Sequence, residues 1–482
     1  SYLLIIGMSD VIHIKSKYID ELEKGESRID AMHTTIKEIG FATLLTSLTT
    51  SIGFLALLSS QIPPLRNFGI YAAVGVFMAY LTVIFFTTMV LVNFDSRQLR
   101  KPRKKSTRGK PLMNNIFLWI SRNQKGIWVG AFIALMLCIW GLSRINTNVY
   151  MLTDVPKDSK IRTDFRFFEN RFAGVRPLEI AILPQEGKTL NSPDVIREVQ
   201  DFENHLTSYD PINHVVSPLT IYRTMNKSLS NNNIEAYKIP EDTARMERIA
   251  KFLEQGGRST FAAVISEDNK MGRITGKMQD IGSENVEDLY EDIRSWKRQN
   301  VDTSVVDFRI TGKLFLVDKN NDYLLGNLLT GLGLAFLVVG LLMGLLFRQV
   351  KMVLISFIPN IFPLLIAGAI MGFSGITLKA TTSIIFTIAF GIAVDDTIHF
   401  LSRFKIEQMR GVGRIRAVQR TFLETGKAIA FTTIILLAGF STLIFSDFTV
   451  TYYIGFLIGL TLLSALIADL LLLPLLLYRV FK

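Results

Sequence analysis

The 482 residues are 49% hydrophobic and 20% charged, with 53 Lys and Arg against 42 Asp and Glu, a net charge of +11. The single cysteine, Cys138, excludes a disulfide framework and a cysteine-based metal site and reads as a small buried hydrophobe. Much of the basic excess lies in RQLRKPRKKSTRGK (Arg97–Lys110), directly after an apolar run. That placement is the positive-inside signature of a membrane protein, and with no recognition motif beside it nucleic acid is excluded as a partner.

The chain opens SYLLIIGMSD, with no Met and no signal peptide, and the run Tyr2–Ile6 is too short to span before Asp10 arrives. The expectation is that residue 1 lies inside a longer protein, within a cut helix whose remnant is Tyr2–Ile14. Eight apolar runs are long enough to cross about 30 Å of hydrocarbon as helices: Gly40–Ser59, Phe68–Val92, Gly126–Leu142, Tyr323–Phe347, Val353–Gly372, Leu378–Phe400, Ala428–Phe445 and Tyr452–Leu477. The predicted organisation is residues 1–94 as the end of a first membrane half, then 95–125 as a basic cytoplasmic linker with an interfacial helix. A span at 126–145, an extramembrane domain at 146–322 and further spans at 323–482 follow. If Arg97–Lys110 is cytoplasmic, 146–322 falls outside, and Arg348, Lys351 and the loop Ser402–Arg420 return inside. That loop carries Arg403, Lys405, Arg410, Arg414, Arg416 and Arg420 against one acid, Glu407, so three basic loops agree with one topology.

In the extramembrane region a helical stretch, KIRTDFRFFENRF, precedes a predicted strand Arg176–Pro184. A helix follows with Ser192 as N-cap and Pro193 at its first position. NHVVSPL is a second strand, residues Thr220–Gly256 a polar helical insert, Ser259–Glu267 an alternating strand, SENVEDLYEDIRSWKRQ a capped helix and Thr303–Gly312 a last strand. The order suggests a split-βαβ, ferredoxin-like sandwich. It contains no nucleophile–base pairing or metal spacing, so an enzyme is not expected. His214 and His399 fall in different compartments under this topology and cannot share a site.

A shift of 386 residues aligns SDVIH (Ser9–His13) with DDTIH (Asp395–His399) and continues without gaps, with 18 identities over the 51 positions 10–60. Ordinary residue usage gives roughly three or four. Each copy reads as a span with Asp and His, a basic helix, a span, a short outer turn and a span, both pointing the same way. Parallel repeats of this kind are a transporter architecture, with the functional site near the interface between halves.

On a helix over 378–400, Asp395 and Asp396 lie i,i+4 and i,i+3 from His399 and can share a face with it. Asp395 is about 17 residues into the span, where a charge costs about 2.5–3.5 kcal/mol on insertion scales and normally faces the bundle interior. Burial and a neighbouring carboxylate both favour the protonated form of an acid, which makes a group able to take and release protons. Asp396 matches Asp10 whereas Asp395 matches Ser9, so the repeat singles out Asp10 with Asp396, supported by His13 and His399, as the pair to be brought together at the centre. Hydroxyls nearby, Thr46 to Ser51 in one half and Thr432 and Thr433 in the other, can relay a proton, or can simply pack between helices. Asp469 is a further intramembrane acid, structural or accessory, whose repeat equivalent is Val83. Residues 15–37 and 402–424 read as basic helices lying on anionic lipid.

These residues carry a resemblance. GIAVDDTIHFLSRFK (Gly391–Lys405) resembles the tenth-helix motif of the resistance–nodulation–division superfamily, in its branch of exporters related to mycobacterial membrane-protein-large, hopanoid-transporter and Patched-like proteins. GMSDVIHIKSKY (Gly7–Tyr18) resembles the fourth-helix counterpart, and Val149–Ile180 is similar to the start of that branch's second periplasmic domain. The resemblance implies an α-helical permease of parallel repeats in a bacterial inner membrane, with an α+β ferredoxin-like periplasmic porter domain and assembly as a dimer or trimer. It further implies export of hydrophobic or lipid substrates driven by the proton gradient, with no bound cofactor, and membrane lipids as partners. Its relay acids fall on Asp10, Asp395 and Asp396; a departure is Ser9, where many members have a second acid or another polar partner. Sterol-sensing domains share the architecture, so a lipid sensor or receptor stays open, as does an energy-coupled accessory to protein secretion.

Overall fold

A computed structural model describes residues 2–60, 63–94, 109–156, 158–255, 264–266, 268 and 270–480. Most of the basic stretch Arg97–Lys110 lies outside the described residues. The apolar runs are helices because nothing else satisfies backbone polar groups in hydrocarbon. Helix α1 is Tyr2–Glu23, α2 is Arg28–Ser59 and α3 is Pro63–Asn93. Helix α4 is Gly109–Arg122 and α5 is Gln124–Leu142. After the 148–322 region come α11, Lys313–Phe347, α12, Val350–Ser374, α13, Ala380–Met409, α14, Arg414–Phe445, and α15, Thr449–Val480. Eight of these helices, all but α1 and α4, contain a stretch long and apolar enough to cross a membrane. By backbone contacts the chain divides into two compact units, residues 1–147 with 323–482, and residues 148–322.

In the first unit, burial sorts the helices. The most apolar window of α13 is 94% buried, against 17% for α3 and for α5, so α13 is the central helix and α3 and α5 are peripheral. Phe85 and Phe86 on α3, Phe132 and Ile133 on α5 and Leu341 and Leu345 on α11 are exposed. An apolar surface of that extent is stable against lipid, not water.

The 386-residue shift is visible in the backbone. A 3₁₀ turn ends α2 at Ala56–Ser59 and another ends α14 at Thr442–Phe445. In both copies a glycine of the next helix then packs against that turn. A Cβ on Gly69 would lie 2.7 Å from the Phe54 carbonyl oxygen and 3.0 Å from Leu57 Cβ; one on Gly455 would lie 2.9 Å from that of Phe440 and 2.8 Å from Leu443 Cβ. The last helix of each copy contains a π-helical turn, Val83–Thr87 in α3 and Ala468–Leu472 in α15. Packing is exchanged between copies: α13 lies against α2, and α1 against α14.

In the second unit, helix α6 (Lys160–Arg171) precedes β1 (Arg176–Pro184), α7 (Pro193–Leu206) and β2 (Ile212–Val216). The insert forms α8 (Pro218–Leu229) and α9 (Thr243–Gln255). Strand β3 (Gly272–Met278), α10 (Ser283–Asn300) and β4 (Val306–Thr311) complete it. The sheet order is β2-β3-β1-β4 with every pairing antiparallel. Ile180, Ile182, Ile274 and Phe308 bury one face of the sheet with Val199 and Phe202 of α7 and Val286 and Tyr290 of α10. Phe202 stacks on Phe308 at 4.1 Å.

Two local expectations change. The third strand is Gly272–Met278; of the expected strand Ser259–Glu267, residues 259–263 and 267 lie outside the described residues, and Ile265 forms a single bridge with Gly272. Strand β3 has the inward–outward alternation of a strand, but two of its inward positions are Gly272 and Gly276, so it shows little hydrophobic pattern. A Cβ on Gly272 would lie 2.9 Å from Leu190 Cδ2, which explains the glycine. Ser192 and Gly282 occupy the N-cap positions of α7 and α10, but neither helix has a side-chain cap.

Because Gly69 and Gly455 meet the same contacts, Gly69→Val and Gly455→Val are each expected to cost about 1–3 kcal/mol through overpacking. Thermal unfolding of the purified protein in detergent checks this, with Gly130→Val, which would point into open space, leaving the midpoint unchanged.

Candidate functional site: carboxyl groups between the repeats

Helix α13 carries Asp395, Asp396, Thr397 and His399, all buried, and α1 carries Ser9, Asp10 and His13, also buried. The two helices meet through side chains. Ser9 Oγ donates to Asp395 Oδ2 at 3.4 Å, and the imidazoles of His13 and His399 stack with ring centres 4.1 Å apart and planes 13° from parallel. Both contacts join repeat-equivalent positions, so the axis relating the halves passes through them. His399 Nε2 lies 3.4 Å from Asp395 Oδ1, one helical turn away on the same helix. Asp10, Asp395 and His399 each place one donor atom within 4.8 Å of the others.

Each half also supplies its own hydroxyl. Ser47 Oγ donates to Asp10 Oδ2 at 3.4 Å, and Thr433 Oγ1 donates to Asp396 Oδ2 at 3.4 Å; the two contacts are related by the 386-residue shift. Thr46 reaches Asp395 with its hydroxyl and also lies 3.0 Å from the Thr43 carbonyl. Its equivalent, Thr432, differs from expectation: its hydroxyl bonds the Ala428 and Ile429 carbonyls of its own helix, and Thr433 is the residue that reaches the acid.

The expected central pair, Asp10 with Asp396, is also revised. Asp10 meets Ser47 and lies in the Asp395 cluster, while Asp396 meets Thr433; no hydrogen bond joins the two among the described residues. Helical geometry explains the difference. Positions 9 and 13, like 395 and 399, are one turn apart and face the axis. Positions 10 and 396 lie about 100° further round, each toward its own half. Asp395, which has no acidic repeat-mate, is the acid at the centre.

Asp469 sits on the π-helical turn of α15, a feature frequent at functional positions. Thr397 Oγ1 is 2.7 Å from Asp469 Oδ1 and 3.1 Å from Asn360 Oδ1. The Asn360 amide is oriented by its Nδ2, which donates to the Ser356 carbonyl at 2.8 Å. One hydroxyl proton serves one acceptor. Both contacts are hydrogen bonds together only when Asp469 itself carries a proton, donates to Thr397, and Thr397 donates to Asn360. The sequence gives no signal for Asn360 or Thr397 as partners of this acid, because Thr397 lies 72 residues from it along the chain and Asn360 a further 37.

Among the described residues, no lysine or arginine pairs with Asp10, Asp395, Asp396 or Asp469. The imidazole of His399, 3.4 Å from Asp395, is the basic side chain that reaches one of them. The lysines and arginines are instead gathered further along α1, α2, α13 and α14, in pairs with Glu21, Glu38, Glu407 and Glu424. His214, with positive φ, lies on β2 in the 148–322 unit. Burying four carboxyl groups without a fixed cation means that their neutralising charge is supplied from elsewhere.

Comparison with known proteins is consistent with this layout. A membrane protein of Methanocaldococcus jannaschii is 22% identical over 333 residues, which is 66% of this chain and 81% of that protein. The MMPL family model matches residues 7–132 and 183–480, including both acid-bearing helices and every element that closes around them. The chain belongs to the MMPL family, a family of membrane transporters.

Proposed function

We propose that this chain belongs to a permease that uses the proton gradient to move hydrophobic or lipid-like molecules out of, or across, a bacterial inner membrane. The observation that carries the reading is the group of four buried carboxyls, Asp10, Asp395, Asp396 and Asp469, with which no lysine or arginine among the described residues pairs. Each charge there costs about 2.5–3.5 kcal/mol on insertion scales, so a proton is the natural counter-charge. Asp395 faces the axis between the halves with a carboxyl oxygen of Asp10 within 4.8 Å, and His13 and His399 stack beside it. Adding or removing a proton on Asp395 therefore changes the electrostatics of the seam between repeats. Because α13 packs on α2 and α1 on α14, a change at the seam bears on both halves at once. Only a bundle whose two arrangements differ in proton affinity could use this.

The outer domain fits the same reading. Its antiparallel β2-β3-β1-β4 sheet with crossover helices α7 and α10 is the order of a ferredoxin-like module, which we assign to the periplasm as the porter domain. Helix α11 begins at Lys313, within the residues of the second unit, and ends at Phe347. The substrate is a lipid-like molecule taken from the outer leaflet, and the working unit is a dimer or trimer.

A counterflow assay tests the reading. Proteoliposomes holding the full-length protein are given a pH gradient, and lipid movement is measured for the wild type and for Asp395→Asn and Asp396→Asn. Gradient-driven movement is expected to fall at least tenfold in both variants. Equal movement in all three removes the relay, and specific lipid binding without movement in any of them points to a sensor. The Asp469 site makes a separate prediction. Thr397→Val leaves the buried oxygens of Asp469 and Asn360 without their hydroxyl partner and is expected to cost about 1–3 kcal/mol, read as a lower thermal unfolding midpoint of the purified protein in detergent.

A further inference from the structure

Along α1 and α13, just past the stacked histidines, the bundle holds a cavity of about 560 Å³, its open mouth included. Its lining comes in repeat-equivalent pairs: His13 with His399, Ser16 with Ser402, Lys17 with Arg403 and Glu38 with Glu424. The cavity therefore lies on the same axis as the histidines. His13 Nε2, Ser402 Oγ and Arg403 Nε are buried and have no hydrogen-bond partner among the described residues. Buried polar atoms around a polar cavity are satisfied by water.

The ion pairs around the cavity repeat as well. Lys17 lies 2.6 Å from Glu21 and 2.6 Å from Glu38; Arg403 lies 2.8 Å from Glu407 and 2.6 Å from Glu424. The symmetry is broken at Glu38. Arg403 and Arg410 of the other repeat also reach it, at 3.4 Å and 2.5 Å, so one carboxylate is held from both halves. Asp20, Glu38 and Glu424 outnumber Lys17 and Arg403 in the lining, an excess that favours cations.

We propose that this cavity is the hydrated path by which protons pass between the Asp10–Asp395–His399 cluster and the membrane face bearing the Arg410–Arg420 loop, with Glu38 as the latch that closes it. The inference rests on the proton-coupled reading above and adds to it a place of access and a gate. Removing the Glu38 charge leaves Lys17 with Glu21 and Arg403 with Glu407 and Glu424, so no cation is left without a partner.

Cysteine accessibility tests the path. Cys138→Ala removes the native thiol, and Ser402→Cys or, separately, Ser16→Cys places one in the lining. Oriented proteoliposomes are exposed on either side to impermeant methanethiosulfonate reagents, one cationic and one anionic. Labelling is expected from the face of the Arg410–Arg420 loop alone, faster with the cationic reagent, and at least tenfold faster when Glu38→Gln is added. Labelling from the opposite face, a rate indifferent to Glu38→Gln, or no labelling at either position overturns the proposal. The assay needs neither substrate nor gradient. Failed labelling with transport still dependent on Asp395 sinks the path alone, whereas the expected labelling with Asp395-independent transport sinks the relay alone.

Discussion

A carboxylate enclosed by apolar helices must be neutralised, and among the described residues no lysine or arginine pairs with those of the membrane unit's core. The rest of the arrangement follows from that constraint. The acids lie on the central helix, on its repeat-mate and on α15, all of them buried. Short hydroxyl side chains and two imidazoles, which can exchange protons but carry no fixed charge, are their immediate neighbours. Lys17 and Arg403 are placed one to two turns away, where both already have glutamate partners.

The frame is symmetric and its contents are not. Turns, close-packed glycines and π-helical segments recur at the 386-residue shift. The chemistry on that frame is weighted to the second half, where Asp395 stands against Ser9, Asp469 against Val83 and Arg403 against Lys17. A duplicated scaffold with unequal acids gives two packing surfaces of similar shape but different response to a proton. The asymmetry reaches the ion pairs too, since Glu38 is held across the halves.

Much of this was legible in the sequence because membrane helices and repeats leave strong patterns. Twenty-residue apolar runs have few alternatives, and a 386-residue register over 51 positions marks equivalent residues one by one. What the repeat could not convey was which side of a helix faces the axis. Identity favoured Asp10 and Asp396, yet the turn spacing of Ser9 with His13 and of Asp395 with His399 determines what meets across the seam. Similarly, Thr432 has the matching residue type while Thr433 has the matching direction. Strand β3 was invisible for another reason: glycines at inward positions keep the geometry of a strand while removing its hydrophobic signal.

The crossing of α2 and α13 bears on how closely such a bundle can pack. A Cβ on Gly53 would lie 3.1 Å from the Gly391 Cα, and Thr50 Oγ1 donates to the Gly391 carbonyl at 2.9 Å. Backbone rests nearly on backbone there, with one hydrogen bond at the point of contact. The missing Cβ of two glycines, one from each repeat, therefore sets how near α2 can come to the central helix, four residues before its first acid.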